Sequence, residues 1–203
     1  AASESFCQRN TNTSLRGAIQ RLKPIAEHAN QSGVEIRGYI SCVIACPYEG
    51  PTDLKAVRLI TEQMLDMGIS TISLSDTLGV AEPEDVQRLY SALEGVLSPE
   101  ESVLHLHDTH GNALACVAEA MNCGVVQFDT SCGGLGGCPY APGAAGNLAT
   151  EDLVSFAQEH RIKTGIDFQL LAAASSIIEQ ELDCNLNSSA YRTFQDEQTL
   201  PSE

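Results

Sequence analysis

The sequence predicts an α/β chain forming the C-terminal part of a (β/α)8 TIM barrel, and three observations carry that reading. Segments alternating with period two are interleaved with segments whose apolar residues recur every three or four positions, the signature of βα units around a parallel sheet. The strand starts, near residues 35, 70 and 102, repeat about every 33 residues, close to the size of one βα unit. Sorted by alternation, the strands carry one apolar and one polar side, and a polar interior suits a closed barrel whose functional groups collect at the C-terminal strand ends. A complete barrel typically takes about 250 residues, whereas this chain has 203. The expectation is therefore four complete strands plus the end of a fifth, with the first βα units absent.

In chain order, the first long helix follows Ser14, a cap residue, through Leu15, Ile19, Leu22, Ile25 and Ala26 toward Gly33, with Pro24 expected to kink or break it. A strand is predicted from Glu35 to Cys42. A helix follows Asp53 through Ala56, Val57, Ile60 and Met64 and stops at Gly68. A second strand runs from Ser70 to Ser75, and a helix bearing Val86, Leu89, Leu93 and Val96 comes next. The third strand is Ser102 to His107, followed by a helix with Leu114, Val117 and Met121 before Gly124. The fourth strand is Val125 to Thr130. Helices after Thr150 and from about Phe168 to Leu182 close the patterned region. Residues 1–182 read as the partial-barrel catalytic domain and 183–203 as a loose polar tail. The apolar strand side is predicted to hold Ile36, Ile40, Ile72, Leu74, Leu104, Leu106, Val126 and Phe128. The polar side would hold Arg37, Tyr39, Ser41, Ser73, Ser75, His105, His107, Gln127 and Asp129, with Arg37 buried and matched by a carboxylate.

Composition narrows the partners. Eleven basic against 27 acidic side chains give a formal charge of −16, a field that repels nucleic acid and anionic membrane, so neither is expected as a partner. Eight cysteines are about 4% of the chain, below a disulfide scaffold, and fit a reducing compartment, cytoplasmic or the mitochondrial matrix in a eukaryote. The first residues lack a basic and then apolar leader pattern, and the chain reads as starting within a longer one.

Four motifs carry chemistry. His105-Leu106-His107-Asp108-Thr109 ends the third strand, and the i, i+2 spacing turns both imidazoles to one face, where they can share a metal with oxygen ligands; two hydrogen-bonded core histidines are the plainer alternative. Ser75-Asp76-Thr77 ends the strand before it, so Asp76 is either a turn aspartate or a carboxylate aimed at substrate. Between Cys132 and Asn147, six of 16 residues are glycine, a lid-like loop carrying Cys138, a thiol for proton transfer or nucleophilic work. Asn147 offers a neutral oxygen to a metal or caps the following helix. Cys42 and Cys46 read as structural, with a Cys2His2 zinc site as a minor alternative.

With these motifs in hand, the chain resembles the 3-hydroxy-3-methylglutaryl-CoA lyase family. The resemblance rests on Arg37-Gly38-Tyr39-Ile40-Ser41-Cys42, Cys46-Pro47-Tyr48-Glu49-Gly50, Ser73-Leu74-Ser75-Asp76-Thr77, the His-Leu-His-Asp-Thr run, Gly134-Leu135-Gly136-Gly137-Cys138-Pro139-Tyr140 and Gly146-Asn147-Leu148-Ala149-Thr150-Glu151-Asp152. It implies a metal-dependent barrel lyase that holds Mg²⁺ or Mn²⁺ through His105, His107 and Asn147, with Cys138 and Asp76 as catalytic residues. The implied reaction is retro-Claisen cleavage of a CoA thioester to acetyl-CoA and acetoacetate, and the implied assembly a homodimer. His110 stands where the family commonly has tyrosine. The family's first-strand aspartate ligand has no counterpart here, so this chain alone is expected to be inactive. Rival readings are a condensing acyltransferase of the isopropylmalate or homocitrate synthase type and a non-catalytic metal-binding fragment.

Overall fold

The computed structural model describes residues 1–137 and 146–199. Two helices open the chain, α1 (Glu4–Thr11) and α2 (Leu15–Gln31), followed by β1 (Arg37–Ser41) and a small hairpin of β2 (Ala45–Cys46) and β3 (Gly50–Pro51). The helices and strands then alternate: α3 (Leu54–Asp66), β4 (Thr71–Asp76), α4 (Pro83–Leu93), β5 (Ser102–Leu106), α5 (Ala113–Asn122) and β6 (Phe128–Asp129). Three helices end the chain, α6 (Thr150–Glu159), α7 (Phe168–Leu182) and α8 (Ser189–Thr199). The main sheet has the order β1-β4-β5-β6 and is parallel throughout. Consecutive parallel neighbours joined by helices make this part of a (β/α)8 barrel. Beside the end of β1 the Ala2 amide donates to the Ser41 carbonyl at 2.8 Å, as the end of a fifth strand would.

The helices begin where side chains can satisfy their orphan amides. Ser14 accepts from the Gly17 amide, Asp53 from Lys55, and Asp167 from Gln169 and Leu170, while Glu82 and Asp85 form a capping box around Pro83. Of the kink or break expected at Pro24, the break does not occur: α2 runs through it from Leu15 to Gln31. Pro24 and Gln20 are both exposed, so the carbonyl that loses its amide partner turns to water, which lowers the cost of proline in a helix interior. The apolar strand side holds as read at Ile40, Ile72, Leu74, Leu104 and Leu106, all buried under α3, α4 and α5. Val126 departs from it, being 67% exposed while Val125 is buried. Gly124 has φ +103° and the Val125 amide still bonds the end of α5, so alternation starts only after this turn, and the predicted sides hold from Phe128, packed against the core, and Asp129, on the polar side.

Where a loose tail was expected over 183–203, the described residues up to 199 contain the helix α8. Helix α8 buries Tyr191, and Leu186 and Ala172 of α7 join it in a separate apolar cluster with Phe168 and Phe194 at its margin. Asp152 of α6 accepts from the Ser188 hydroxyl and the Ala190 amide and so fixes the start of α8. The segment is polar on average, but Leu186, Tyr191 and Phe194 pack into this one cluster. Tyr191→Ala is expected to lower unfolding free energy by about 3–5 kcal/mol, and Arg192→Ala, on the exposed side, by less than about 0.5 kcal/mol, both read from urea unfolding.

Candidate metal centre

The ends of β4, β5 and β6 converge on one polar surface. His105 and His107 lie on the same side of β5, with ring centroids 5.5 Å apart, because Leu104 and Leu106 between and before them are drawn into the helix-facing core. Burial, reinforced by the neighbouring His105, pushes the His107 pKa down, while the Asn147 amide and the Thr77 backbone beside it work the other way. The resulting neutral imidazole has a lone pair, which a metal ligand requires.

Asn147 reaches this position through a backbone clamp. The Asp108 amide donates to the Gly146 carbonyl at 3.1 Å and the Leu148 amide to the Leu106 carbonyl at 2.9 Å, so His107 and Asn147 face each other as an antiparallel bridge. Only glycine fits at 146, since a Cβ there would lie 1.7 Å from the Gly134 carbonyl oxygen. The Asn147 Nδ2 donates to the Leu135 carbonyl at 2.9 Å, which leaves Oδ1 as the inward atom. His107 Nδ1 and Asn147 Oδ1 are both buried with no hydrogen bond of normal geometry. Each would cost about 1–3 kcal/mol left bare. Both are electron-pair donors of the kind a divalent cation takes, so the residues present fit a metal. Asn147 does not cap α6, whose cap is Ala149 without a side-chain bond.

Among the described residues no group of three or more His, Cys, Asp or Glu side chains gathers as a metal site, so the Cys2His2 alternative is not assembled. Cys46 instead lies with its Sγ 2.9 Å from the Ser3 hydroxyl, and it packs with Cys42 against Phe6. Asp76 is 1% exposed, and its Oδ2 accepts the Ala81 amide at 2.8 Å. Burial raises its pKa, against the pull of the amides of residues 78–81. Oδ2 thus serves the turn, while Oδ1 is buried without a hydrogen-bond partner. The turn it holds carries Gly79, where a Cβ would lie 2.8 Å from the His107 carbonyl oxygen, so Asp76 braces the strand that bears the histidines. Cys138 lies outside the described residues.

One group escaped the sequence reading, and another acquired partners beyond it. Glu151 on α6 is fully buried and accepts from the Gly133 amide with both oxygens and from the Ser175 hydroxyl, which ties the root of the glycine segment to α6 and α7. Nothing in its spacing marked it, because the contact joins residues brought together only by the fold. Asp129 on β6 accepts from Arg37 at 2.5 Å, from Ser73 at 3.0 Å and lies 3.4 Å from His105 Nδ1. The alternation had set Arg37 and Asp129 on one side, and they pair, but Arg37 is not buried: its side chain is 35% exposed and that of Asp129 20%. The polar surface of the sheet opens to solvent at β1, so the cost of a fully buried ion pair does not apply.

Burial raises the Asp129 pKa, but the hydrogen bonds from His105, Arg37 and Ser73 and the guanidinium charge outweigh it and hold the carboxyl at about 2. A depressed carboxylate stabilises the fold above its unfolded pKa, about 3.9, and loses that contribution as pH falls through its folded value. Acid unfolding followed by circular dichroism should show a stability loss between about pH 4 and 2 that is reduced in Asp129→Asn. Arg37→Gln is expected to cost about 1 kcal/mol, in keeping with a partly exposed pair, rather than the larger loss of a buried one.

Comparison with known proteins adds to this geometry. The HMGL-like family model matches residues 1–178. The chain is 43% identical over 188 residues to the mitochondrial hydroxymethylglutaryl-CoA lyase of Bos taurus, covering 93% of this chain and 58% of that protein. It is 42% identical over 178 residues to the 3-hydroxy-3-isohexenylglutaryl-CoA/hydroxy-methylglutaryl-CoA lyase of Pseudomonas aeruginosa, covering 88% of this chain and 59% of that one. The chain thus spans somewhat under three fifths of the length of these relatives. Among solved structures, the Pseudomonas aeruginosa hydroxymethylglutaryl-CoA lyase superposes with a TM-score of 0.92 at 39% identity, over 97% of this chain and 65% of that one. An Acinetobacter baumannii HMG-CoA lyase in complex with coenzyme A and 3-methylmalate does so with a TM-score of 0.92 at 34% identity, over 100% and 66%.

Proposed function

The chain belongs to the HMGL-like family, and on that premise we propose that it serves a carbon–carbon lyase that cleaves 3-hydroxy-3-methylglutaryl-CoA to acetyl-CoA and acetoacetate. The observation that carries the reading is the pair of buried, partnerless donor atoms, His107 Nδ1 and Asn147 Oδ1, brought together by the backbone clamp. The lyase names of the relatives support it, and they lend no support to the condensing acyltransferase.

In this reading His105, His107 and Asn147 hold one Mg²⁺ or Mn²⁺. When bound, the cation polarises the tertiary hydroxyl and a neighbouring oxygen of the substrate and lowers the hydroxyl pKa. The chain's own groups do the rest. A base removes the hydroxyl proton, the new ketone leaves as acetoacetate, and the electron pair of the broken C–C bond passes to the thioester α-carbon as the acetyl-CoA enolate. Cys138 gives that carbon its proton. Asp76 acts as the orienting group, through the turn that braces His107. Neutral His107 and the buried clamp keep the centre short of water, which strengthens its electrostatics.

The substrate class is a CoA thioester, and the Acinetobacter baumannii neighbour's coenzyme A complex supports that choice. A homodimer in the cytoplasm, or in the mitochondrial matrix of a eukaryote, completes the proposal. No helix among the described residues is long and apolar enough to cross a membrane. The test is acetoacetate release from 3-hydroxy-3-methylglutaryl-CoA by the full-length gene product with Mg²⁺ and reductant. Cys138→Ala is expected to lower kcat by roughly 10²–10⁴-fold, with Mn²⁺ affinity within about twofold of the parent. Acetyl-CoA consumption in the presence of a 2-oxo acid, without cleavage, would favour the condensing reading instead.

A further inference from the structure

We infer that Asp129 is a positioning residue that selects which nitrogen of His105 faces the metal, and that Arg37 and Ser73 fix Asp129 for this task. The inference rests on the metal-centre reading above. Asp129 stands opposite His105 in the β5–β6 register, so its carboxylate and the imidazole leave the sheet side by side. Its Oδ2 lies 3.4 Å from His105 Nδ1, and the His107 ring, whose Nδ1 is buried without a partner, lies 5.5 Å from the His105 ring, centroid to centroid. A carboxylate beside Nδ1 stabilises the Nδ1–H tautomer, which leaves the Nε2 lone pair for a cation.

Asp129 does not itself have an oxygen to spare. Its Oδ1 accepts from Arg37 Nη2 at 2.5 Å, and its Oδ2 accepts from the Ser73 hydroxyl at 3.0 Å in addition to facing His105. The three partners come from β1, β4 and β5, so every strand of the main sheet contributes to one carboxylate. A carboxylate whose two oxygens are held from both sides has a set direction, and that direction passes to the imidazole. In a flat sheet the outer strands would stand roughly 14 Å apart. The Arg37–Asp129 pair therefore also depends on the sheet curling toward its polar side, and it couples the curvature of the sheet to the orientation of His105.

The experiment uses the full-length protein and Mn²⁺ as the probe. Nitrogen NMR of the imidazoles in the metal-free parent, at a pH where His105 is neutral, is expected to show His105 as the Nδ1–H tautomer. An Nε2–H tautomer would overturn the inference, and this reading needs no variant to fold. Asp129→Ala is expected to mix the two tautomers and to weaken Mn²⁺ binding by roughly 10–100-fold, the range for loss of an outer-sphere partner; unchanged tautomer and affinity in a folded variant would overturn it too. Arg37→Gln, which leaves the carboxylate in place, should shift affinity less than Asp129→Ala. His107→Ala separates the two levels of argument: Mn²⁺ affinity unaltered in that variant would refute the metal centre itself, whereas its loss, with Asp129→Ala silent, would refute only the role given to Asp129.

Discussion

The return of the chain at Gly146 onto the end of β5 is the constraint on which the rest of the site depends. Two backbone hydrogen bonds, from Asp108 to Gly146 and from Leu148 to Leu106, set Asn147 opposite His107. The approach is possible because the backbones at 134 and 146 come too close for any side chain at 146. Once the clamp closes, one face of the Asn147 amide is taken by Leu135 and its oxygen has nowhere to turn but inward. Two of the three buried, partnerless side-chain atoms, His107 Nδ1 and Asn147 Oδ1, thus follow from backbone pairing, and a cation bound there would relieve their desolvation cost.

Around that clamp the fold arranges support in layers. The helix-facing side of the sheet is apolar and tightly buried, which holds β4 and β5 in register and so aligns Ser73, Ser75 and the histidines. On the other side, one carboxylate collects side chains from three further strands. Behind β4, Asp76 anchors the turn that touches the His107 carbonyl, and behind the glycine segment Glu151 holds Gly133. Rigid elements carry each ligand, and hydrogen-bonded neighbours fix its direction, which is how a site keeps its geometry before anything binds.

Much of this was legible in the sequence because it rests on local pattern. Period-two alternation and helix caps located the strands and helices, and the His-x-His spacing set two imidazoles on one side without reference to the rest of the chain. What failed to show was long-range or averaged away. Asp76 sits where the chain turns, so alternation could not assign its direction, and one of its oxygens bonds its own turn while the other is buried without a partner. Val126 precedes the strand, where alternation does not yet apply. The end of the chain read as a tail because its mean polarity hid Leu186, Tyr191 and Phe194, which the fold gathers into one cluster. Arg37 and Asp129 were assigned to the same side correctly, yet the exposure of their pair depends on the open edge at β1, which no local pattern reports.

The central claim is that two imidazoles and the Asn147 amide form one divalent-cation centre. Pulsed electron paramagnetic resonance of the protein loaded with one equivalent of Mn²⁺ tests it most directly, because it detects directly bonded nitrogen. The expected spectrum shows coupling to two histidine nitrogens, reduced to one in His105→Ala or His107→Ala. A Mn²⁺ signal without histidine nitrogen coupling in the parent protein would contradict the account.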